Sequence, residues 1–214
     1  MALAAQAHHA RALGARSFRD ALGRFPTGVA FVTAAPDGEP TGLIVNSLTS
    51  VWLDPPLVSF RPSRRSLTWS RMRRAKRFGV NVLGRHHERF AMRAAPAGAE
   101  RFAGLGWELG PRGGPLLTDA LATLECEIHA EHPAGDPWIV VGRVDDVRTS
   151  PLEDPLVFFA GAFGALQPIT LRRSRAYGRI VGGLRTSAAP DQPLRGSDHS
   201  LENLASGPDQ PARR

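Results

Sequence analysis

Lysine, cysteine and long apolar runs are scarce in this chain, which bears on its charge, its disulfides and its contact with membranes. Lys76 is the only lysine, so the formal net charge of +7 comes from arginine, which favours anionic ligands such as phosphates. The single cysteine, Cys126, excludes an internal disulfide. No apolar run approaches the roughly 20 residues that span a bilayer, and residues 1–16 lack the apolar core of a secretory signal. We therefore expect a soluble, cytoplasmic protein without membrane contact.

The chain is long enough for one domain with flanking segments. Its 214 residues, 42% of them hydrophobic, can bury a substantial core. Residues 1–16 are Ala-rich and are predicted to be a flexible N-terminal segment. From about residue 167 the composition shifts to Arg, Gly, Ser and Pro, which buries too little apolar surface to offset the entropy of ordering. We predict a folded domain over 17–166 and a disordered basic tail over 167–214.

Within the domain, strands outnumber helices. β-branched and aromatic runs bounded by Pro, Gly and Asp predict strands over 27–33, 41–52, 57–60, 78–83, 120–130, 138–147 and 156–159. Helical spacing predicts short helices over 17–24, beginning at Ser17, and over 66–76 and 86–95, with an irregular glycine-rich loop over 104–114. The segment 156–159 is expected to close the sheet. Strands with helices only as inserts predict a mainly β fold, either an antiparallel barrel or a sandwich.

One predicted strand alternates between apolar and polar residues. Ala122, Leu124 and Cys126 lie on one side of this strand, and Thr123 and Glu125 on the other. The pattern predicts an antiparallel strand buried on one face only. Cys126, on the apolar side, is expected to be an inert core residue.

The strand at 41–50 ends in polar residues. Asn46, Ser47, Thr49 and Ser50 offer hydroxyl, amide and main-chain groups in a small space. Such groups suit a ligand edge with alternating donors and acceptors, as a flavin ring and ribityl chain have. The alternative is a polar strand end that makes local turns, and the residues alone favour it.

Residues 61–77 carry eight basic residues and no acidic one. Ser66 can open the predicted helix, so that its first N–H groups and Arg64 hold a phosphate. The alternative is a solvated basic helix face, the usual meaning of a charge run. A nucleic-acid interface is disfavoured, because only Trp69 and Phe60 supply nearby aromatics and no recognition motif accompanies them.

Other candidate sites have weak support. His86, His87 and Glu88 lack the i, i+4 histidine pair of a metal site and are expected at the surface start of a helix. The glycines between 104 and 114 fit neither a P-loop nor a Rossmann turn. Ser47 has no evident histidine and acid partners. We therefore predict no metal site and no catalytic acid, base or nucleophile.

Taken together, several blocks resemble a known family. They are FRDALGRFPTGVAFVT at 18–33, TGLIVNSLTSVWLDPPLVSF at 41–60, FGVNVL at 78–83, ERFAGLGW at 100–107, PLL at 115–117, LECEI at 124–128 and GDPWIVVGRV at 135–144. In this order they are similar to the short-chain flavin reductases, which supply reduced flavin to two-component monooxygenases. The resemblance covers about 17–166.

The resemblance implies a homodimeric split β-barrel that binds FMN or FAD near the subunit interface. The residues it implies for the flavin ring, ribityl chain and phosphate are Asn46, Ser47, Leu48, Thr49, Ser63, Arg64, Ser66 and Arg101. It implies hydride transfer from NADH or NADPH to flavin N5, which depends on positioning and needs no catalytic acid. It also implies a flavin-dependent monooxygenase as partner.

The chain departs from this pattern at the nicotinamide side. Relatives commonly carry Gly-Asp-His where this chain has Gly135-Asp136-Pro137, and proline cannot donate that hydrogen bond. Phe163 holds the aromatic position expected near the nicotinamide, and Arg61 stands where a small or apolar residue is more usual. Two alternatives to an NAD(P)H:flavin oxidoreductase therefore stay open. One is a flavoprotein that retains FMN with little or no reductase activity, or acts on another substrate. The other is a basic binding module without flavin.

Overall fold

A computed structural model describes residues 14–93, 98–151 and 154–166. The predicted disordered tail over 167–214 and the predicted flexible segment up to residue 13 lie outside the described residues. No described helix is long and apolar enough to cross a membrane.

The described part of the chain is mainly β, as predicted, with helices only as short inserts. The strands are β1 (Thr27–Gly28), β2 (Ala30–Ala34), β3 (Thr41–Val45), β4 (Thr49–Leu53), β5 (Pro56–Phe60), β6 (Arg77–Val82), β7 (Trp107–Leu109), β8 (Pro115–Leu117), β9 (Ala122–Pro133), β10 (Trp138–Thr149), β11 (Leu156–Phe159) and β12 (Ala162–Ala165). The α-helices are α1 (Ala15–Leu22), α2 (Leu67–Met72) and α3 (Glu88–Met92). Short 3₁₀ turns lie at Pro36–Gly38, Arg73–Ala75, Arg85–His87 and Gly98–Phe102.

The strands form three antiparallel sheets. The largest has seven strands in the order β3-β2-β6-β9-β10-β5-β4, while β1, β11 and β12 form a second sheet and β7 and β8 a third. Among the described residues no ladder joins the edge strands β3 and β4, so the sheet is not closed into the predicted barrel. The prediction that 156–159 closes this sheet is wrong, because β11 pairs with β1 and β12.

The seven-stranded sheet is nevertheless strongly curved. Only three residues separate Val45, at the end of β3, from Thr49, at the start of β4. Four residue steps span at most about 14 Å, so the two edges approach each other at this point. Val45 and Phe60, from opposite halves of the strand order, lie in one buried cluster. The curvature therefore forms a core inside the sheet.

Two apolar clusters stabilise the domain. The inner cluster of the curved sheet includes Phe60, Trp69 and Phe78, with Phe60 packed edge-on against both other rings. The second cluster lies between β2 and the three-stranded sheet, where Phe31 contacts Phe90 at a centroid distance of 5.0 Å. Trp69 belongs to α2, so this helix is fixed to the core of the sheet.

The polar side of β9 is buried at its start, contrary to the half-buried pattern predicted from its alternation, while Glu127 and His129 further along the same side are half-buried and exposed. Thr123 is 7% exposed and Glu125 only 2%. Glu125 accepts a hydrogen bond from the backbone N–H of Arg112 at 2.8 Å. Its side chain also lies so close to Gly110 that a Cβ there would come within 2.6 Å of Oε1. The loop expected to be irregular covers this face, and it contains β7, paired with β8.

Several predicted boundaries were also wrong. The stretch 41–52 is interrupted at 46–48 and forms two strands, because the chain passes there from one sheet edge to the other. The first helix begins after Gly14, not at Ser17. The helix predicted over 86–95 is a 3₁₀ turn followed by the five residues of α3.

Candidate functional site

Three segments meet at one end of the strands β4, β5 and β10. β5 is antiparallel to both neighbours, so its end coincides with the start of β4 and of β10. The segment 46–48 precedes β4, 61–66 follows β5, and 135–137 precedes β10. The predicted flavin residues before residue 67, and Pro137, are therefore brought together by sheet topology.

Backbone hydrogen bonds fix the turn at 61–66 against the turn at 135–137. Ser63 and Pro137 form an isolated antiparallel bridge. Arg64 N–H donates to the Asp136 carbonyl at 3.1 Å, and Trp138 N–H donates to the Pro62 carbonyl at 2.9 Å. The positions of the side chains in both turns are thus set by main-chain contacts.

The serines of the site are held by hydrogen bonds, and two of the three keep a hydroxyl hydrogen that is not donated to another group among the described residues. Ser47 Oγ accepts from the Arg61 N–H at 3.0 Å, and Ser66 Oγ accepts from the Trp69 N–H at 3.1 Å, which caps α2 as predicted. Since both oxygens act here as acceptors, both hydroxyl hydrogens are available to a ligand. Ser63 Oγ accepts from the Arg65 N–H at 3.2 Å and donates to Asp136 Oδ2 at 3.3 Å.

Salt bridges divide the basic run at 61–77 into two halves. Arg73 pairs with Glu131 at 2.6 Å, Arg74 with Asp37 at 2.8 Å, and Arg77 with Asp145 at 3.0 Å. Burial would raise the pKa of Asp145, but hydrogen bonds from Arg77 and Arg143 outweigh burial and lower it.

Closer to the turn the positive charge is only partly neutralised. Within the described parts of the chain, Arg61 and Arg64 form no ion pair, and Arg65 approaches Asp136 only at 3.9 Å. The uncompensated charge therefore lies next to the hydroxyls of Ser63 and Ser66.

This donor set fits a flavin phosphate. The Ser66 hydroxyl hydrogen and the Arg64 guanidinium are available at the turn 61–66, and the Ser47 hydroxyl hydrogen is available in the adjoining segment 46–48. A phosphate monoester presents several strong acceptor oxygens to such donors. Asn46 and Thr49 are exposed, while Leu48 is half-buried and packs against the inner cluster. The site thus combines polar groups with an apolar base, although contacts of these residues with a flavin stay predictions.

Arg101 and Phe163 lie on other elements. The Arg101 guanidinium donates to the carbonyl of Gly42 in β3, the strand that leads to Asn46, and burial lowers the pKa of Arg101. Phe163 is in β12, where its ring packs on Phe158 at 5.4 Å as part of the second cluster. Pro137 lies in the turn before β10 of the seven-stranded sheet and Phe163 in the three-stranded sheet, so their shared nicotinamide role stays a prediction.

His87 is buried, which corrects the prediction that the His-His-Glu segment is a surface helix start. The ring is 2% exposed and lies beside His86 and Asp119, which together form a cluster of metal-ligand types. Nδ1 of His87 accepts the Gly84 N–H at 3.2 Å, so Nε2 carries the proton of the neutral ring and donates to Asp119 Oδ1 at 3.1 Å. Burial lowers the pKa of His87, although the Asp119 carboxylate opposes it. These bonds fasten the turn before α3 to the loop after β8.

Cys126 is core, as predicted. Its side chain is 1% exposed, and burial, together with Asp145 and Glu125, raises the pKa of the thiol to about 12. Since the thiolate is the reactive form of cysteine, this residue is not a nucleophile at neutral pH.

A family described as "Flavin reductase like domain" matches residues 22–167, which include all three segments of the site. The chain belongs to the flavin reductase family. It is 36% identical over 159 residues to the reductase subunit of a flavin-dependent monooxygenase from Rhodococcus jostii, covering 74% of this chain and 82% of that protein. An FMN reductase (NADH) from Agrobacterium fabrum is 42% identical over 150 residues, covering 70% of this chain and 84% of that protein.

Solved flavin reductase structures share the fold. The NADH:FAD oxidoreductase of Streptomyces globisporus C-1027 superposes with a TM-score of 0.66 at 35% identity, covering 72% of this chain and 93% of that chain. The predicted family is therefore confirmed.

Asp136, Trp138 and Glu131 were not predicted as site residues, although Asp136 and Trp138 contact the turn at 61–66 and Glu131 contacts Arg73 at the end of α2. Trp138 lies within 5.4 Å of the Arg64 guanidinium carbon, and Asp136 bonds to Ser63. These contacts join residues more than 70 positions apart, so no local spacing indicates them. The only signal for Asp136 and Trp138 was their position in the GDPW segment, and Glu131, which bonds to Trp69 and Arg73, lies outside that segment.

Proposed function

We propose that this chain is the flavin reductase of a two-component monooxygenase, which reduces FMN with NADH or NADPH and releases the reduced flavin to its oxygenase. The observation that carries the proposal is the convergence of 46–48, 61–66 and 135–137 within a chain of this family. When bound, the flavin supplies the ring that accepts the hydride. Since NAD(P)H and free flavin are cytoplasmic metabolites, we place the enzyme in the cytoplasm.

The residues of this chain bind and orient, and no acid or base is required of them. Ser47, Asn46 and Thr49 hold the polar edge of the flavin, while Leu48 supports it from the apolar core. Ser63, Ser66 and Arg64 hold the phosphate. FMN is our preferred flavin because one phosphate matches this compact donor set. FAD carries the same phosphate and is an alternative substrate.

A second candidate function rests on Pro137. This residue lies in the turn that faces Ser63 and offers neither a hydrogen bond nor a charge to a nicotinamide. The chain can then be a flavoprotein that retains FMN and turns over NAD(P)H poorly, or acts on another substrate. The basic binding module is not favoured, because the arginines in the second part of the basic run, Arg73, Arg74 and Arg77, are each paired with an acid.

We also propose that the active form is a homodimer that uses β4. All five residues of this edge strand are exposed in the single chain, among them Val51, Trp52 and Leu53. Three consecutive exposed apolar residues on an unpaired strand edge are an aggregation hazard unless a partner covers them. β4 starts at Thr49, so a partner on this strand lies next to the flavin residues.

The decisive experiment measures NADH and NADPH consumption by the purified protein with and without added FMN. The reductase proposal predicts FMN-dependent turnover, and transfer of the reduced flavin when a flavin-dependent monooxygenase is added. Retention of the yellow flavin with negligible NAD(P)H consumption would establish the second candidate. Absence of flavin binding would reject both.

A further inference from the structure

One indole ring lies against two guanidinium groups beside the proposed phosphate site. The Arg64 guanidinium carbon is 5.4 Å from the ring centroid of Trp138, and that of Arg73 is 5.2 Å from it. Both distances are within the roughly 6 Å at which a cation is attracted to an aromatic face. Trp138 is therefore a contact surface for the two arginines.

The two arginines differ in charge balance. Arg73 is bonded to Glu131 at 2.6 Å, and the other oxygen of Glu131 accepts from the Trp69 indole N–H at 3.1 Å. The charge of Arg73 is thus neutralised by a carboxylate whose side chain is only 16% exposed. Among the described residues, Arg64 has no acidic partner and only a long hydrogen bond, at 3.4 Å, to the Gly135 carbonyl. Arg64 is the member of the pair with charge left for an anion.

The backbone places Arg64 beside Trp138 independently of the indole. The bonds from Arg64 N–H to Asp136 and from Trp138 N–H to Pro62 involve only main-chain atoms. A long arginine side chain on a fixed backbone still samples many rotamers and loses that freedom when it binds. The indole and the Gly135 carbonyl restrict the guanidinium before a ligand arrives, which reduces this loss.

We propose that Trp138 is a positioning residue that holds Arg64 ready for the phosphate, and that it thereby sets the preference for FMN over riboflavin. The inference rests on the proposed flavin site. Riboflavin has the same ring and ribityl chain without the phosphate, so it separates phosphate recognition from general integrity of the site.

The test compares FMN and riboflavin dissociation constants for wild type, Trp138→Leu and Trp138→Phe. Loss of a cation–π contact weakens FMN binding by roughly 2- to 6-fold in Trp138→Leu, with riboflavin unchanged. Trp138→Phe keeps an aromatic face and recovers most of the loss. Equal weakening of both flavins by Trp138→Leu would mean that Trp138 only supports the fold, and would overturn the inference. Thermal unfolding of each variant checks that the domain is intact.

The matched control removes the arginine. Arg64→Gln is expected to weaken FMN binding about 10-fold or more, and Trp138→Leu added to it is expected to weaken FMN no further. Additive losses would overturn the positioning role. If wild type binds FMN and riboflavin equally, the inference fails while the flavin site stands. If wild type binds neither flavin, the proposed function fails as well.

Discussion

At the scale of single residues, Pro137 decides how far the chemistry of relatives can be transferred to this chain. The turn that carries it is well fixed without the proline ring. Gly135 adopts a positive φ of 67°, a conformation that favours glycine, and the Ala134 N–H donates to the Pro137 carbonyl at 2.9 Å. A side chain at position 137 can therefore be changed without loss of the turn.

We expect Pro137→His to lower the KM for NADH. The imidazole adds a hydrogen bond to the nicotinamide, worth about 0.5–1.5 kcal/mol when neutral and about 1.5–3 kcal/mol when charge-assisted. The expected gain is roughly 10- to 100-fold in kcat/KM, mainly through KM, because the contact binds the cofactor in ground and transition state alike. Steady-state kinetics with saturating FMN measure it.

Pro137→Ala is the control, since it frees the backbone without adding an imidazole. Wild-type turnover that is already fast, with no improvement in the histidine variant, would remove the nicotinamide role from this position. If wild type and Pro137→His both bind FMN but do not oxidise NADH, the second candidate function, a flavoprotein that retains FMN, is favoured.

At the scale of elements, α2 shows where local signals were sufficient. Ser66 was predicted to open this helix, and it does so by accepting the Trp69 N–H. The start of β10 is continuously apolar, which is typical of a central strand, and β10 lies between β9 and β5.

Local signals failed where a distant element decides the outcome. The residues of 41–52 all suit an extended chain, so the break at 46–48 is set by the curvature of the sheet and not by its own sequence. Glu125 is buried because Gly110 and Arg112 cover it, and no pattern within β9 predicts that cover. For the same reason, the segments 46–49 and 61–66 were predicted as two separate candidate sites. Only the strand order of the sheet shows that both meet the turn at 135–137.

The cap of α2 allows a sharp test of the phosphate site. Aspartate is as good a helix N-cap as serine, so Ser66→Asp keeps α2 and adds a carboxylate at the proposed phosphate position. Like-charge repulsion in a partly buried site costs about 1–3 kcal/mol, which weakens FMN binding roughly 5- to 150-fold. Flavin titration measures the change. Ser66→Asn is the matched control, because it has nearly the same shape, caps the helix and carries no charge. Equal FMN affinities of Ser66→Asp and Ser66→Asn would mean that the flavin phosphate does not bind next to Ser66.

At the scale of the whole molecule, the open edges of the seven-stranded sheet are the place to test the proposed homodimer. The segment that carries Arg101 lies next to β3, where the Arg101 guanidinium donates a hydrogen bond to the Gly42 carbonyl. β4 has no such cover among the described residues, and Trp52 is 63% exposed there. The same edge begins at Thr49, so assembly and flavin binding are expected to be coupled.

We expect Trp52→Glu to abolish the homodimer and to weaken FMN binding with it. A buried carboxylate without a partner costs about 3–5 kcal/mol, and a two-fold interface contains the substitution twice. Light scattering after size-exclusion chromatography gives the mass, and flavin titration gives the affinity. Leu109→Glu is the control, because Leu109 is 60% exposed on β7, in a different sheet. The control is expected to remain a dimer with unchanged affinity. A Trp52→Glu protein that stays dimeric would place the interface away from β4, and a monomer with wild-type FMN affinity would show that one chain holds the flavin without its partner.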